Sequence, residues 1–377
     1  MSRINANVNI KVAAVPPHSA ERFCLSVARQ HDPQREATPR ALLTAHRSLL
    51  TILFLLTAHC SLLTTKAASW VRQPAGTMAW LHAVYFLDQN RGWVAGSGGT
   101  LLETVDGGQT WRKLLPLTKD NLRDVYFADE KTGWLVAERD ALKLKTNDEP
   151  QSYLLKTEDG GFSWQRVFLN GSGINARLVR AVFADTERGW VFGETGVVFA
   201  TRDGGAHWVR QASPTKHLLL GGVFVDSAHG WLVGAGATIL QTSDGGWTWQ
   251  SGFVRDGAGA RFTAASFVGN RLGWAVAAAG RIFTTTDGGR TWFEQRSNVS
   301  DDLSDVKFID ASEGWAIGAQ GTLLHTKDGG VHWPVESSGT SHALDRLFVI
   351  DQNHGWAVGF GGTILNYSPA GAPRLKS

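Results

Sequence analysis

Six aspartates recur in one setting along this 377-residue chain. Asp106, Asp159, Asp203, Asp244, Asp287 and Asp328 each follow a threonine by two residues, precede Gly-Gly, and lie five residues before a tryptophan. A carboxylate beside glycines invites a calcium or an acid–base reading. The spacing argues against both. The run Thr-x-Asp-Gly-Gly-x-x-Trp appears from Thr104 to Trp111, Thr157 to Trp164, Thr201 to Trp208, Thr242 to Trp249, Thr285 to Trp292 and Thr326 to Trp333. Each aspartate therefore occupies the same position of its own hairpin. Its side chain can accept hydrogen bonds from the N–H groups of the turn. The glycines supply positive φ, and the tryptophan covers the hairpin with a large apolar face. The expected role of all six is structural.

No other constellation carries chemistry. The twelve histidines have no metal-ligand spacing. His207 and His332 sit directly before a turn tryptophan, and His82 lies near the start of a strand. Glycine runs such as Gly96-Ser97-Gly98-Gly99 join two strands, with no helix following to bind a phosphate. No pair of carboxylates stands out as a glycosidase acid and base. Both cysteines, Cys24 and Cys60, precede the repeats, so the repeat region has neither a disulfide nor a thiolate metal site. These observations assign no catalytic residue, no metal and no cofactor.

The elements that hold the aspartates follow from a second motif. Gly-Trp occurs at Trp93, Trp134, Trp190, Trp231, Trp274, Trp315 and Trp356, with steps of 41, 56, 41, 43, 41 and 41 residues. A period in the low forties with strand-like sequence inside each unit indicates a β-propeller. In the first unit Leu81 to Leu87 reads as strand A, Gly92 to Ala95 as strand B, Thr100 to Thr104 as strand C and Thr110 to Arg112 as strand D. The expected fold is all-β: a seven-bladed propeller of four-stranded antiparallel blades. The glycine of each Gly-Trp is expected to permit close backbone approach between blades, with the tryptophan packed between neighbouring sheets.

Seven Gly-Trp pairs but six Asp turns leave one strand D missing. The last unit ends at strand C, Gly362 to Tyr367, while Ser69-Trp70-Val71-Arg72-Gln73 matches His207-Trp208-Val209-Arg210-Gln211. Residues 69–73 are therefore expected to complete the last blade and close the ring. Strand alternation puts A–B turns and Asp turns on one face, B–C turns and D–A connections on the other. The second unit is 15 residues longer than the 41-residue norm, and the extra segment Glu138 to Ser152 falls between strands B and C. Function usually sits on variable loops over a rigid scaffold, so the binding face is expected opposite the Asp turns. On it, Arg123, Arg180 and Arg346 recur near the start of strand A, with Arg177 and Arg261 nearby. They form a candidate patch for carboxylates or an acidic protein segment. Trp80 lies outside the repeat pattern and is a candidate interface anchor. Trp247 is an extra tryptophan on the Asp-turn face.

Residues 1–68 hold eight Lys/Arg and three Asp/Glu, whereas the remainder holds 29 and 31. The propeller is thus near neutral, which removes the bulk electrostatic argument for nucleic acid. The apolar run Ser48 to Ala58 follows Arg47 and precedes Ala67-Ala68-Ser69, so residues 47–68 read as a secretory signal. The expected organisation is a leader over 1–68 with a disordered extension, the propeller over 69–368 and a tail over 369–377.

The unit Gly314-Trp315-Ala316-Ile317-Gly318, then Gly321-Thr322-Leu323-Leu324-His325-Thr326, then Asp328-Gly329-Gly330 resembles the repeat of the photosystem II stability/assembly factor family, a group of Asp-box (BNR) propellers. The resemblance covers residues 69–368. It implies a non-enzymatic, chaperone-like factor outside the cytoplasm. Its partner would be another protein, a photosystem II reaction-centre protein at an early stage of membrane assembly, held on an arginine-lined face. The expected location is the periplasm, thylakoid lumen or extracellular space, with membrane anchoring if the leader is retained. Two alternatives belong to other classes: a secreted surface or adhesion propeller, and an Asp-box glycoside hydrolase.

Overall fold

The computed structural model describes residues 69–115, 118–140, 150–169 and 175–368. Residues 1–68, where the sequence reading expects a leader and signal and where both cysteines lie, most of the insert in the second unit, and residues 369–377 lie outside the described residues.

Seven sheets are arranged as seven blades. Their A strands are Leu81–Phe86, Asn121–Phe127, Leu178–Phe183, Leu219–Phe224, Phe262–Val268, Leu303–Phe308 and Leu344–Asp351. Each pairs antiparallel with its B strand, and B pairs with C. Every A strand also packs on the next one in chain order, and the seventh packs on the first, so the A strands form the inner wall of a closed ring. The seventh blade takes its fourth strand from Ser69–Gln73, which pairs antiparallel with Thr363–Ser368 from Ser69 opposite Ser368 to Gln73 opposite Ile364.

Two blades depart from four regular strands. In blade 6 the D strand is reduced to a single bridge between Leu324 and Val335. Pro334 explains this: its carbonyl accepts the His325 N–H at 3.0 Å, but it has no N–H to return. Blade 5 gains a short fifth strand, Phe253–Val254, parallel to Thr291–Gln295.

The blades are held together by aromatic pairs. Each A strand of blades 1–6 carries, at or next to its end, a phenylalanine that stacks on the Gly-Trp tryptophan of the preceding blade, at centroid distances of 3.5 to 4.3 Å. The tryptophan thus lies between neighbouring sheets, as expected. The glycine before it has a different role from the one read in the sequence. A Cβ on Gly92 would lie 2.5 Å from Cδ1 of Phe86 in the same blade. Glycine is needed because the phenylalanine ring crosses directly over its own strand B, rather than to let two blades' backbones approach.

All six Asp turns share one geometry. In the first, Thr104 Oγ1 accepts the Gly108 N–H at 2.8 Å and donates to Asp106 Oδ1 at 2.8 Å. Asp106 Oδ1 also accepts the Thr110 N–H at 2.9 Å, and Oδ2 accepts the Thr110 hydroxyl at 2.6 Å. Gly107 and Gly108 have φ of 73° and 90°. The turn is tied to its neighbour: Gly107 N–H donates to Asn90 O of the A–B turn at 2.8 Å, and Gly288 N–H to Arg271 O at 3.0 Å. On the other face B–C turns bond to D–A connections, as in Ser97 N–H to Trp80 O at 2.8 Å and Glu194 N–H to Arg177 O at 2.9 Å.

Candidate functional site: the channel mouth

The mouth opposite the Asp turns is shaped by a β-bulge repeated near the start of every A strand. A bulge sets two residues against one partner and re-aims their side chains. It sorts the charged residues into successive rings. Trp80, Arg177 and Arg261 directly precede their A strands, at the rim. His82, Arg123 and Asp345 are bulged residues. Asp124, Arg180, Asp305 and Arg346 follow the bulge, and Tyr85, Tyr126, Lys307 and Phe348 lie two residues further along the strand. The sequence reading puts Arg123, Arg180 and Arg346 near the start of strand A, and there the structure has them, at two different positions. Arg123 is the bulged residue of its strand, whereas Arg180 and Arg346 stand one position later. The spacing carries the same offset: Arg123 lies ten residues before the glycine of its Gly-Trp, Arg180 and Arg346 nine before theirs.

At the level of the bulge, a polar chain crosses four blades. Asp345 of blade 7 receives the Nδ1–H of His82 at 3.2 Å, and His82 Nε2 accepts from Arg123 Nη1 at 3.4 Å. This network fixes His82 as the Nδ1 tautomer. Arg123 Nε pairs with Glu138 on strand B of blade 2. Glu138 also faces Arg177 Nη1 at 3.6 Å, and Arg177 Nε donates to Glu194 at 3.0 Å. Each cation read as part of the patch here therefore has an acidic neighbour. Arg261 differs: it is exposed and has no ion pair among the described residues. The extra segment of blade 2 begins on this face, where Glu138 pairs with Ser152 and the Arg139 N–H donates to Gln151 O at 2.8 Å.

Below, the buried charges are arranged in two matching pairs. Asp124 Oδ2 accepts the Ala181 N–H of the next blade at 3.0 Å, and Asp305 Oδ2 accepts the Leu347 N–H of its next blade at 2.9 Å. These inter-blade bonds give both carboxylates a structural task. Burial pushes the Asp124 carboxyl up to about 6, against the opposing pull of Arg180. Burial raises Asp305 as well, again opposed by Arg180. Burial lowers Lys307, opposed by Asp305. Tyr85 and Tyr126, with rings 4.8 Å apart, are both raised by burial.

An exposed aromatic group lies at the rim where blade 7 meets blade 1. Trp80 is 43% exposed, with its ring 5.4 Å from His82 and 5.5 Å from Phe360. Phe360 is 50% and Met78 79% exposed. Sequence reading singles out Trp80 but misses Phe360, Met78, Glu138, Glu194 and Asp345. Only Asp345 carries a sequence signal, its place beside Arg346.

On the opposite face, Trp247 is exposed with the Arg202 guanidinium 4.1 Å from its ring centroid. A cleft of about 500 Å³ between blades 4 and 5 is lined by Trp231, Gln241, Arg271, Asp287 and Arg290 among others. Among the described residues no group of three or more His, Cys, Asp or Glu is arranged to hold a metal ion.

The sequence matches the family described as photosynthesis system II assembly factor YCF48 over residues 63–153, 113–218, 210–298 and 291–373. No curated protein matches it. Among solved structures, one described as YCF48 bound to D1 peptide is 22% identical, with a TM-score of 0.65 over 81% of this chain and 96% of that one. YCF48 from Cyanidioschyzon merolae is 19% identical, with a TM-score of 0.66 over 80% and 99%. The GH74 xyloglucanase from Xanthomonas campestris is 15% identical, with a TM-score of 0.61 over 81% of this chain and 55% of that one. At these identities the likeness is one of fold.

Proposed function

The chain belongs to the photosynthesis system II assembly factor YCF48 family, and from that premise we propose that it is a non-catalytic binding propeller, exported from the cytoplasm, that holds a segment of a photosystem II reaction-centre protein across its channel mouth. Family membership sets the class of partner, and the D1 peptide named with a structure of the same fold supports it. One structural observation carries the placement: the polar chain from Asp345 through His82, Arg123, Glu138 and Arg177 to Glu194, beside the exposed Trp80 and Phe360. Paired charges held by a rigid ring offer oriented hydrogen-bond donors and acceptors, and the aromatics offer apolar area for a peptide side chain. Export rests on the apolar run preceding the propeller; N-terminal sequencing of the protein from its native cell fraction tests it.

The fold shared with GH74 xyloglucanases favours a second reading, carbohydrate hydrolysis. That chemistry needs two carboxylates free to act as acid and base. Asp124 and Asp305 are each engaged by main-chain N–H groups of the next blade. In the cleft between blades 4 and 5 the one lining carboxylate, Asp287, is bound to Thr285 and Thr291. Binding is therefore the better reading. Peptides tiling the D1 protein, titrated by fluorescence anisotropy, test it directly: saturable binding to one segment is expected. Binding to none, together with turnover of xyloglucan by the purified protein, would replace it with the hydrolase reading.

A further inference from the structure

The blade junctions share one backbone plan but not one set of side chains. At the junction of blades 1 and 2, four charged residues fill the space beside Trp93. The Arg91 guanidinium lies 5.1 Å from the Trp93 ring centroid, with Nη2 3.4 Å from Glu103 and Nη1 3.8 Å from Glu130 of blade 2. Arg112 pairs with Glu103 as well. At the junction of blades 4 and 5 the positions of Arg91, Glu103, Glu130 and Arg112 hold His229, Gln241, Asn270 and Gln250. The internal ion-pair cluster is thus replaced by an imidazole and three carboxamides. A second filler is also missing. Gln211 of blade 3 and Gln295 of blade 5 reach the next Asp turn, donating to Gly245 O at 3.4 Å and Gly329 O at 3.2 Å. Blade 4 has Gly252 at that position, where a Cβ would lie 2.3 Å from Gly289 O, so no side chain crosses from there. The space left is the cleft of about 500 Å³.

A cleft of this volume is of the size that takes a small molecule, and its lining selects the kind. Among the described residues the side chains of Gln241, Gln250 and Asn270 make no hydrogen bond, and those of Arg271 and Arg290, on the blade 5 side, make no hydrogen bond or ion pair. Each carboxamide presents both donor and acceptor, which is what a sugar hydroxyl meets. The two guanidinium groups present donors with positive charge, which suits a carboxylate. Asp287, the one lining carboxylate, already accepts from Thr285 and Thr291. Trp231 is only 2% exposed and offers no open ring on which a nucleobase could stack. We propose that this cleft binds a carboxylated saccharide, of the uronate or sialate class, with its carboxylate on Arg271 and Arg290 and its hydroxyls on Gln241, Gln250 and Asn270. Binding there is non-catalytic, since the cleft lacks a pair of free carboxylates. The site lies on the face opposite the channel mouth, shares no residue with it, and is independent of the peptide-binding reading.

The test uses the full chain and three acidic sugars, galacturonate, glucuronate and N-acetylneuraminate, with galactose and glucose as neutral controls. Isothermal titration and saturation-transfer NMR should show saturable binding of at least one acidic sugar, about tenfold tighter than either neutral one. Arg271→Gln should abolish that preference. The triple change His229→Arg, Gln241→Glu and Asn270→Glu rebuilds the blade 1 cluster inside the cleft and should abolish binding altogether. Should the triple variant fail to fold, Arg271→Gln, a change at an exposed residue, decides alone. An oligoglutamate peptide is titrated in parallel. No saturable binding of any acidic sugar, no preference over the neutral sugars, an undiminished preference in Arg271→Gln, or tighter binding of the peptide overturns the proposal.

Discussion

Trp356 of blade 7 stacks on Phe86 of blade 1 with ring centroids 3.5 Å apart and planes 13° from parallel. Its indole N–H donates to the Gly107 carbonyl in the Asp turn of blade 1 at 2.9 Å. One side chain thus grips both the inner strand and the outer turn of its neighbour. The same double contact joins Trp190 to Phe224 and Gly245, Trp231 to Phe267 and Gly288, and Trp274 to Phe308 and Gly329. The junction from blade 6 to blade 7 breaks the pattern. Blade 7 has Val349 where the others have phenylalanine, and no Asp turn. Trp315 accordingly stacks on His325 of its own blade at 4.4 Å; its indole N–H is buried without a partner, as are those of Trp93 and Trp134, which keep the phenylalanine stack of the next blade but not the bond to its Asp turn.

Removing Phe86 should therefore loosen the ring at a load-sharing contact. Phe86→Ala is expected to lower the unfolding free energy by about 3 kcal/mol or more, since it deletes a buried ring and one side of a stacked pair. Trp356→Phe keeps an apolar ring but loses the bond to Gly107 and should cost less. Equilibrium denaturation of both variants checks this. A loss below about 1 kcal/mol for Phe86→Ala would mean that the blades are held chiefly by something else.

The outer strand of the last blade gives a second test. Trp70 is buried, lies 5.2 Å from Tyr367, and packs near Gly355. A chain beginning at Gly76 loses this strand and leaves Thr363–Ser368 as an open edge. It should melt at lower temperature and associate on size-exclusion chromatography. A monomer with unchanged Tm would show that residues 69–73 contribute nothing to closure.

Blade number and the matching of the first strand to the last blade were legible because both rest on spacing and residue type. Gly-Trp and Thr-x-Asp-Gly-Gly repeat because the same buried stack and the same turn recur, and buried geometry tolerates few alternatives. The mouth was less legible. Arg123, Arg180 and Arg346 all fall near the start of strand A, but the sequence does not show that Arg123 is met by Glu138 of strand B, Arg346 by Asp305 of blade 6 and His82 by Asp345 of blade 7. Pairing between blades depends on ring geometry, which no local pattern encodes. The thinning of blade 6 was foreshadowed only by Pro334.

The Asp turns should behave as stability elements. In Asp287→Ala the Thr291 N–H loses the acceptor that it reaches at 3.0 Å, and the Thr285 hydroxyl loses another at 2.8 Å. A cost of about 1–2 kcal/mol is expected, with no direct effect on partner binding. Hydrogen bonds depress the turn carboxylates, to about 2 for Asp203. Their contribution is fully present above the unfolded aspartate value of about 3.9 and fades as pH falls toward 2. Denaturant melts from pH 5 to pH 2 should show this loss, shallower in Asp203→Asn. An unchanged slope in that variant would detach the turn from acid stability.

Asp124 should act in the opposite sense. Its folded-state value of about 6, raised by burial, exceeds the unfolded value. Between pH 4 and 6 the folded protein holds a proton that the unfolded chain has lost, so this group makes stability fall as pH rises through that window. Asp124→Asn removes the titration while keeping an oxygen for the Ala181 N–H. The variant should show a flatter stability profile from pH 4 to 6, read from denaturant midpoints. A profile steeper than that of the unaltered protein would contradict the assignment.

The binding face is best probed at residues whose loss leaves no stranded partner. Arg123 is paired with Glu138, and Arg180 sits near two buried aspartates. Reversing either charge disturbs the scaffold as well as the surface, so a lost interaction there would be ambiguous. Arg261 and Trp80 escape this problem. Arg261 is exposed without an ion pair among the described residues, and Trp80 stands at the rim with its ring against His82 and Phe360. Trp80→Ala removes a large rigid contact of the kind that dominates interfaces and should weaken capture of the bound peptide about tenfold or more. Arg261→Glu should weaken capture of an acidic segment and raise its dissociation rate. Arg290→Glu is the control, an exposed arginine in the cleft of the opposite face. The two arginine variants should keep Tm within about 1 °C, since surface substitutions away from packed features change stability little, whereas Trp80→Ala also loses ring contacts with His82 and Phe360 and is compared at a temperature where a melt shows it folded. Anisotropy titrations against the same peptide decide the matter. Equal losses from Trp80→Ala and Arg290→Glu, or losses from neither, would remove the mouth as the binding face and leave the ring as a scaffold whose working surface lies elsewhere.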